Sequence, residues 1–173
     1  REGGAESIHL TYLLSVSASK KSIHLLMAGF VPDLLARDAM VAALERGVTI
    51  QIIVPGRYID KAVVRSASRG TWGALLAAGA EIYEFQPTMF HCKVLIIDEL
   101  WVSVGSTNFA PRSFKLNDEA HLNVYNQQLA QRQFEHLQVD LTRATQIKFQ
   151  EWRNRPGQEN PWDTRIQITR PHL

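Results

Sequence analysis

Ile8, Tyr12, Leu13 and Val16 recur at helical spacing and predict an amphipathic helix over residues 5–19. Lys20 and Lys21 close it, where the negative end of a helix favours cations. The period then shortens. Residues 22–28 read as a short strand, and Asp33 suits the N-cap of a helix ending at Gly47. Residues 48–54 alternate until Pro55 and Gly56 stop them. A further strand is expected over 80–85 and a loop over 86–90. An apolar run over 94–97 reads as a buried strand, followed by a turn over 98–100 and a returning segment over 101–104. Residues 111–116 suggest a short helical turn, and 119–125 alternate again. Leu129, Phe134, Leu137 and Leu141 mark the inward face of a long helix over 127–143, and Ile147, Phe149 and Trp152 extend the helical pattern over 145–155. Strands separated by helices predict βαβ crossovers and an α/β fold with a mixed, mostly parallel sheet. The expected domain covers 1–155. From Pro156 the chain is polar and proline-rich, a loosely structured tail over 156–173 with an extended strand at 165–169.

With 173 residues, 45% of them hydrophobic, the chain has room for one ordinary domain with a sizeable core and none for a second catalytic half. A net charge of +2 sets up no strong field for a polyanion, so affinity for nucleic acid or anionic lipid has to come from a local patch. Arg57, Lys61, Arg65 and Arg69 form such a stripe at four-residue steps, ahead of a helix expected over 71–78. It is either a solvated helix face or a phosphate-attracting one. A single cysteine, Cys92, rules out an internal disulfide and reads as an inert buried thiol. No apolar run approaches the roughly 20 residues that span a bilayer. The chain opens at Arg1 rather than methionine, as a piece of a longer polypeptide would.

Chemistry concentrates between residues 91 and 119. His91 and Lys93 open the apolar run, and side chains two apart in a strand share a face. An imidazole beside an ammonium suits a phosphorus centre, the nitrogen attacking while the cation binds non-bridging oxygens. Asp98 has the opposite parity and sits where the run stops, so it reads as a support residue. The returning strand ends at Gly105 and brings back Ser106 and Asn108, whose hydroxyl and amide can donate to phosphate oxygens or hold the lysine. Glu119 is placed to accept from the imidazole N–H that does not attack. Met89 and Phe90 are candidates for the rim of the site or for packing under a loop. Arg112 faces either substrate or a carboxylate partner. No second histidine stands three to five residues from His91, and Lys93 would repel a divalent cation, so no metal site and no cofactor are expected. His9, His24, His121, His136 and His172 read as structural.

The pattern His91-x-Lys93-x4-Asp98-x6-Gly105-Ser106-x-Asn108 fills every position of the signature of the phospholipase D superfamily, which this chain resembles. The likeness extends through Ile52-Ile53-Val54-Pro55-Gly56 and Arg112-Ser113-Phe114-Lys115-Leu116-Asn117. Within the superfamily the chain looks most like the C-terminal half of bacterial cardiolipin synthases, over roughly residues 5 to 152. The resemblance implies a three-layer α/β/α sandwich, a phosphohistidine intermediate, and catalytic roles for His91, Lys93, Asp98, Asn108 and Glu119. Substrate contacts are expected from Ser106, Lys93, Asn108, Phe30, Met89 and Arg112, and the resemblance implies peripheral association with the cytoplasmic face of a bacterial inner membrane. Two positions depart from the pattern. Ala110 stands where relatives often carry Asp, which would loosen the loop holding Asn108. Gly29 stands where they tend to carry Tyr, which would leave the pocket wall wider or differently lined.

Transfer through a phosphohistidine needs a second imidazole, to protonate the leaving alkoxide and then deprotonate the incoming alcohol. This chain's motif supplies one, so its mate comes from a missing N-terminal half or from a twofold-related copy. By the same resemblance His91 would be the general acid/base of a two-half enzyme. Three readings stand: half of a phosphatidyltransferase converting phosphatidylglycerol to cardiolipin and glycerol, a homodimeric phosphodiesterase or nuclease, and a non-catalytic domain binding anionic lipid or a partner.

Overall fold

The computed structural model describes residues 4–59 and 62–155. Its first helix, α1 (Gly4–Ala18), buries Tyr12 and Val16, the spacing that the sequence pattern singles out. Strand β1 (Ser22–Met27) is buried along its whole length. Helix α2 (Leu34–Glu45) starts at Asp33, whose carboxylate accepts from Ala36 N–H at 2.9 Å as an N-cap should. Then follow β2 (Thr49–Pro55), α3 (Ala62–Gly70), α4 (Gly73–Ala77) and β3 (Glu81–Phe85). The motif region supplies β4 (Lys93–Ile97), β5 (Trp101–Gly105), α5 (Pro111–Leu116) and β6 (His121–Tyr125), and the chain continues through α6 (Gln127–Leu141), β7 (Ala144–Ile147) and α7 (Phe149–Arg153).

The seven strands form one sheet in the order β6-β5-β4-β1-β2-β3-β7. It is mixed, as expected, but the parallel pairings are confined to β1–β2 and β2–β3. The other pairings, β1–β4, β4–β5, β5–β6 and β3–β7, are antiparallel: β4 and β5 form a hairpin, β6 returns beside β5 after α5, and β7 folds back on β3. Helices cover both faces and complete the three layers. Ile23, Leu25, Ile50, Ile52 and Leu95 meet α1, α2 and α4 on one side, while Leu26, Ile53, Ile96 and Val102 meet Ala130 and Leu137 of α6 on the other. Residues 145–155 are not a continued helix. Thr145 and Ile147 pair with Glu84 and Ile82, so a β-branched segment closes the sheet edge before α7 begins.

The basic stripe has a structural answer in part. Arg65 and Arg69 both grip the buried carboxylate of Glu84, each at 2.8 Å, and so tie α3 to β3. Arg57 lies over the Tyr58 ring. Lys61 and the tail over 156–173, with its expected strand, fall outside the described residues.

Candidate active site

Pairing of β1 with β4 places Met27 opposite Lys93, so His91, just before β4, lies at the C-terminal end of β1 beside Gly29. The Lys93 ammonium sits 3.2 Å from His91 Nε2 and 3.5 Å from Nδ1. The shared face read from strand parity is therefore present. His91 is exposed, whereas Lys93 is only 9% exposed. Burial lowers the Lys93 pKa below its ordinary 10.5, with the Glu119 carboxylate opposing. An ammonium stripped of water in this way interacts more strongly with an anion than a hydrated one.

The returning strand β5 delivers the Gly105-Ser106-Thr107-Asn108 turn to the same end. Gly29 makes room for it. A Cβ there would lie 3.0 Å from Asn108 Cγ and 3.1 Å from Oδ1. The wall at Gly29 is thus not widened, because the Asn108 side chain fills the space. Gly29→Ala is expected to displace Asn108 and lower turnover by about tenfold, with stability changed far less; paired rate and unfolding measurements check this. Asn108 Oδ1 is buried without a hydrogen-bond partner.

Glu119 has other partners than those expected. One carboxylate oxygen takes the Ser106 hydroxyl, and the other accepts from the Asn117 amide at 3.1 Å. The Ser106 hydroxyl oxygen in turn accepts the Ala120 N–H at 3.0 Å. Ser106 therefore holds Glu119 and the start of β6, and Glu119 acts on Lys93 through its field. Among the described residues Glu119 makes no hydrogen bond to His91.

Asp98 lies at the other end of β4. Its carboxylate accepts from the backbone N–H groups of Lys20, Lys21 and Ser22 at 2.7 to 3.1 Å, closing the junction of α1 with β1. Asp98 and Glu99 have φ of 54° and 52°, as both central residues of a type I′ turn require, and Leu100 N–H closes it on the Ile97 carbonyl at 3.0 Å. Asp98 thus lies at the opposite end of β4 from His91, with its carboxylate engaged by backbone N–H groups there. Phe30 is 1% exposed and packs on Phe109, so it backs the Asn108 turn and offers no face to substrate. Met89 is 45% exposed, and Arg112 is exposed on α5. Cys92 is half-buried against the α6 side of the sheet, and burial raises its pKa.

His121, read from sequence as merely structural, belongs to the site's framework. Its Nε2 accepts the Thr107 N–H at 3.1 Å, and its Nδ1 lies 3.0 Å from Ser103 Oγ. Tyr12 stands edge-on to the ring. A Cβ on Gly105, its cross-strand partner, would lie 2.6 Å from the ring, so the glycine is what admits it. The available signal was parity, since His121 shares a strand face with Glu119. Burial lowers the His121 pKa below 6.5, against opposition from Glu119. The neutral ring is the form that accepts from Thr107.

Protonation would set two donors against each other there. Between the lowered pKa and 6.5 the unfolded chain binds the proton and the folded chain does not. The stabilisation is therefore complete above pH 6.5 and is lost as pH falls toward the folded value. His24, whose pKa burial lowers to about 4, works in the same direction. Urea unfolding at stepped pH should show stability falling below pH 6.5, with a shallower slope in His121→Asn.

Ala110 is the N-cap of α5 in an extended conformation, φ −152° and ψ 145°, with no side-chain cap. Ala110→Asp is expected to add about 1 kcal/mol of stability by supplying one, read from thermal unfolding.

A buried lysine against a histidine, an asparagine packed at Gly29 on the same strand end, and a mixed sheet clad on both faces define a phospholipase D-like domain. The chain belongs to the family described as cardiolipin synthase, PLD-like domain, whose model matches residues 13–140. It is 34% identical over 140 residues to a cardiolipin synthase of Halalkalibacterium halodurans, covering 81% of this chain and 28% of that protein. It is 31% identical over 151 residues to the major cardiolipin synthase ClsA of Bacillus subtilis, covering 87% of this chain and 31% of that one. The chain thus spans under a third of the length of these curated relatives. Among solved structures it resembles a phospholipase D family member, Nuc from Salmonella typhimurium, with a TM-score of 0.72, 25% identity, and coverage of 81% of this chain and 90% of that one. A phosphatidylserine synthase of Haemophilus influenzae shares the fold at a TM-score of 0.71 and 16% identity, over 94% of this chain and 42% of that one.

Proposed function

We propose that this domain is one catalytic half of a cardiolipin synthase-type phosphatidyltransferase. The observation that carries the reading is the desolvated Lys93 ammonium held 3.2 Å from an exposed His91 ring nitrogen. In the two-half enzyme His91 protonates the leaving glycerol oxygen and then takes the proton of the incoming hydroxyl, while the mate's imidazole carries the phosphatidyl group. Lys93, with Asn108 beside it, neutralises the phosphate oxygens as charge builds on them. Phosphatidylglycerol serves as donor and acceptor, and cardiolipin and glycerol leave. The work is done at the surface of an anionic membrane.

Cardiolipin formation from labelled phosphatidylglycerol, measured with the complementing half present, tests this. Product in the presence of EDTA supports it. Absence of transfer in an assembled two-half protein overturns it. The second reading, a phosphodiesterase built from two copies of this chain, is favoured by the likeness to Nuc, of which 90% is covered by a chain of this size. Hydrolysis of a chromogenic diester by this chain alone would select that one.

A further inference from the structure

The turn that leaves β5 is held by different means at successive residues. At Ser106 the backbone N–H donates to the Ala120 carbonyl at 3.0 Å, and the hydroxyl oxygen accepts the Ala120 N–H at 3.0 Å. One residue on, the strand ladder has ended. Thr107 is fully buried and its hydroxyl oxygen has no partner, so the hold on this residue is the 3.1 Å bond from its N–H to His121 Nε2. A ring nitrogen stands where a sheet would offer a carbonyl. Asn108 follows directly, with its side chain closed against Gly29.

The ring is itself fixed in place. It fills the space that Gly105, its cross-strand partner, leaves open. Because Nε2 accepts, the neutral ring carries its proton on Nδ1 and donates it to Ser103 Oγ, 3.0 Å away. The Tyr12 hydroxyl stands 3.4 Å from Nε2 and 3.5 Å from Nδ1, with its own ring edge-on to the imidazole. Tyr12 and Ser103 are as fully buried as Thr107. An N–H in such surroundings has no solvent to turn to if the ring lets go.

The acceptor exists in one protonation state. An imidazolium carries a proton on both nitrogens, and its Nε2–H would face the Thr107 N–H. Burial favours the neutral ring and lowers its pKa below 6.5, with the Glu119 carboxylate opposing. Tyr12, from α1, is the other titratable group against the ring, and burial raises its pKa, which keeps the hydroxyl neutral. Lys93 of β4 lies on the same sheet face, two strands away. Ser103 and Gly105 of β5, and Phe114 of α5 behind Tyr12, do not titrate.

We propose that His121 is a positioning residue for phosphoryl transfer: its unprotonated Nε2 fixes the Thr107 peptide and thereby sets where Asn108 meets the phosphate. This role rests on the phosphotransfer reading of the strand end, but tungstate probes the cradle without any turnover. Titrated at about pH 8, it should bind His121→Leu, which keeps bulk and removes the acceptor, about tenfold more weakly than the parent. His121→Gln places an amide oxygen where Nε2 stands and should recover the affinity to within about threefold. Hydrogen exchange of the Thr107 amide supplies the second readout. Protection should be present in the parent at about pH 8 and be lost as pH falls through the lowered pKa of the folded ring. In His121→Gln it should persist at every pH, and in His121→Leu it should be missing throughout. Tungstate bound equally well by His121→Leu and the parent overturns the proposal. So does Thr107 protection that follows one pH course in the parent and in His121→Gln, a comparison that holds even if the leucine variant does not fold. A parent that shows the expected pattern yet transfers no phosphatidyl group with its mate present would defeat the proposed reaction and support the role of His121.

Discussion

His91→Ala should abolish phosphatidyl transfer, lowering turnover by about a thousandfold or more, while leaving the fold intact. The separation of the two effects follows from where the ring lies. His91 is exposed and precedes β4, so its loss removes no core contact and should change stability by no more than about 0.5 kcal/mol. Lys93→Met should be similarly inactive for a different reason. It keeps the volume of a nearly buried side chain but removes the charge that faces the phosphate. Because that ammonium is desolvated, the methionine variant should be as stable as the parent or more so. Transfer rates and urea unfolding of both variants check this, and His91→Ala retaining activity would place the chemistry elsewhere.

Asp98→Ala should show the reverse pattern, a loss of about 3 kcal/mol in stability with little change in turnover per folded molecule. Three backbone N–H groups lose their common acceptor, at about 1 kcal/mol each, and alanine is poorly suited to a φ of 54°. Asp98→Asn should recover part of the loss, since an amide oxygen still accepts and asparagine tolerates the left-handed region. The site should be spared because Asp98 lies roughly 20 Å along the strand from His91. Unfolding midpoints and active-fraction rates distinguish this from a direct catalytic role, which would cut turnover in the fully folded variant.

Most of the site could be read from the sequence because its signals are short-range. Strand parity put His91 and Lys93 on one face, and the hairpin between β4 and β5 needed only the turn at Asp98 to bring Asn108 back. The same parity set Asp98 on the opposite face, and the fold sets it at the opposite end of the strand. What escaped depends on partners remote in sequence. Thr145 and Ile147 are a strand only because β3 offers its edge; by local pattern they continue the helix before them. The space at Gly29 is filled by Asn108 because Phe30 and Phe109 bridge, a pairing that neither segment announces alone. His121 gathers Ser103 and Thr107 with Tyr12 close by, and each partner comes from a different element. The hydrogen bonds of Glu119 go to Ser106 and Asn117, contacts set by the loop after α5.

The phosphate cradle is tested most directly by tungstate, an oxyanion that needs only one half-site. Titrated into labelled protein and followed by NMR, it should shift the His91 ring, the Lys93 ammonium and the Asn108 amide together along one saturating curve. In Lys93→Met the His91 and Asn108 signals should no longer respond. Tungstate that leaves these three groups unmoved, or that shifts His91 equally well without the lysine, would contradict the assignment of this strand end as the place where a phosphodiester is held and attacked.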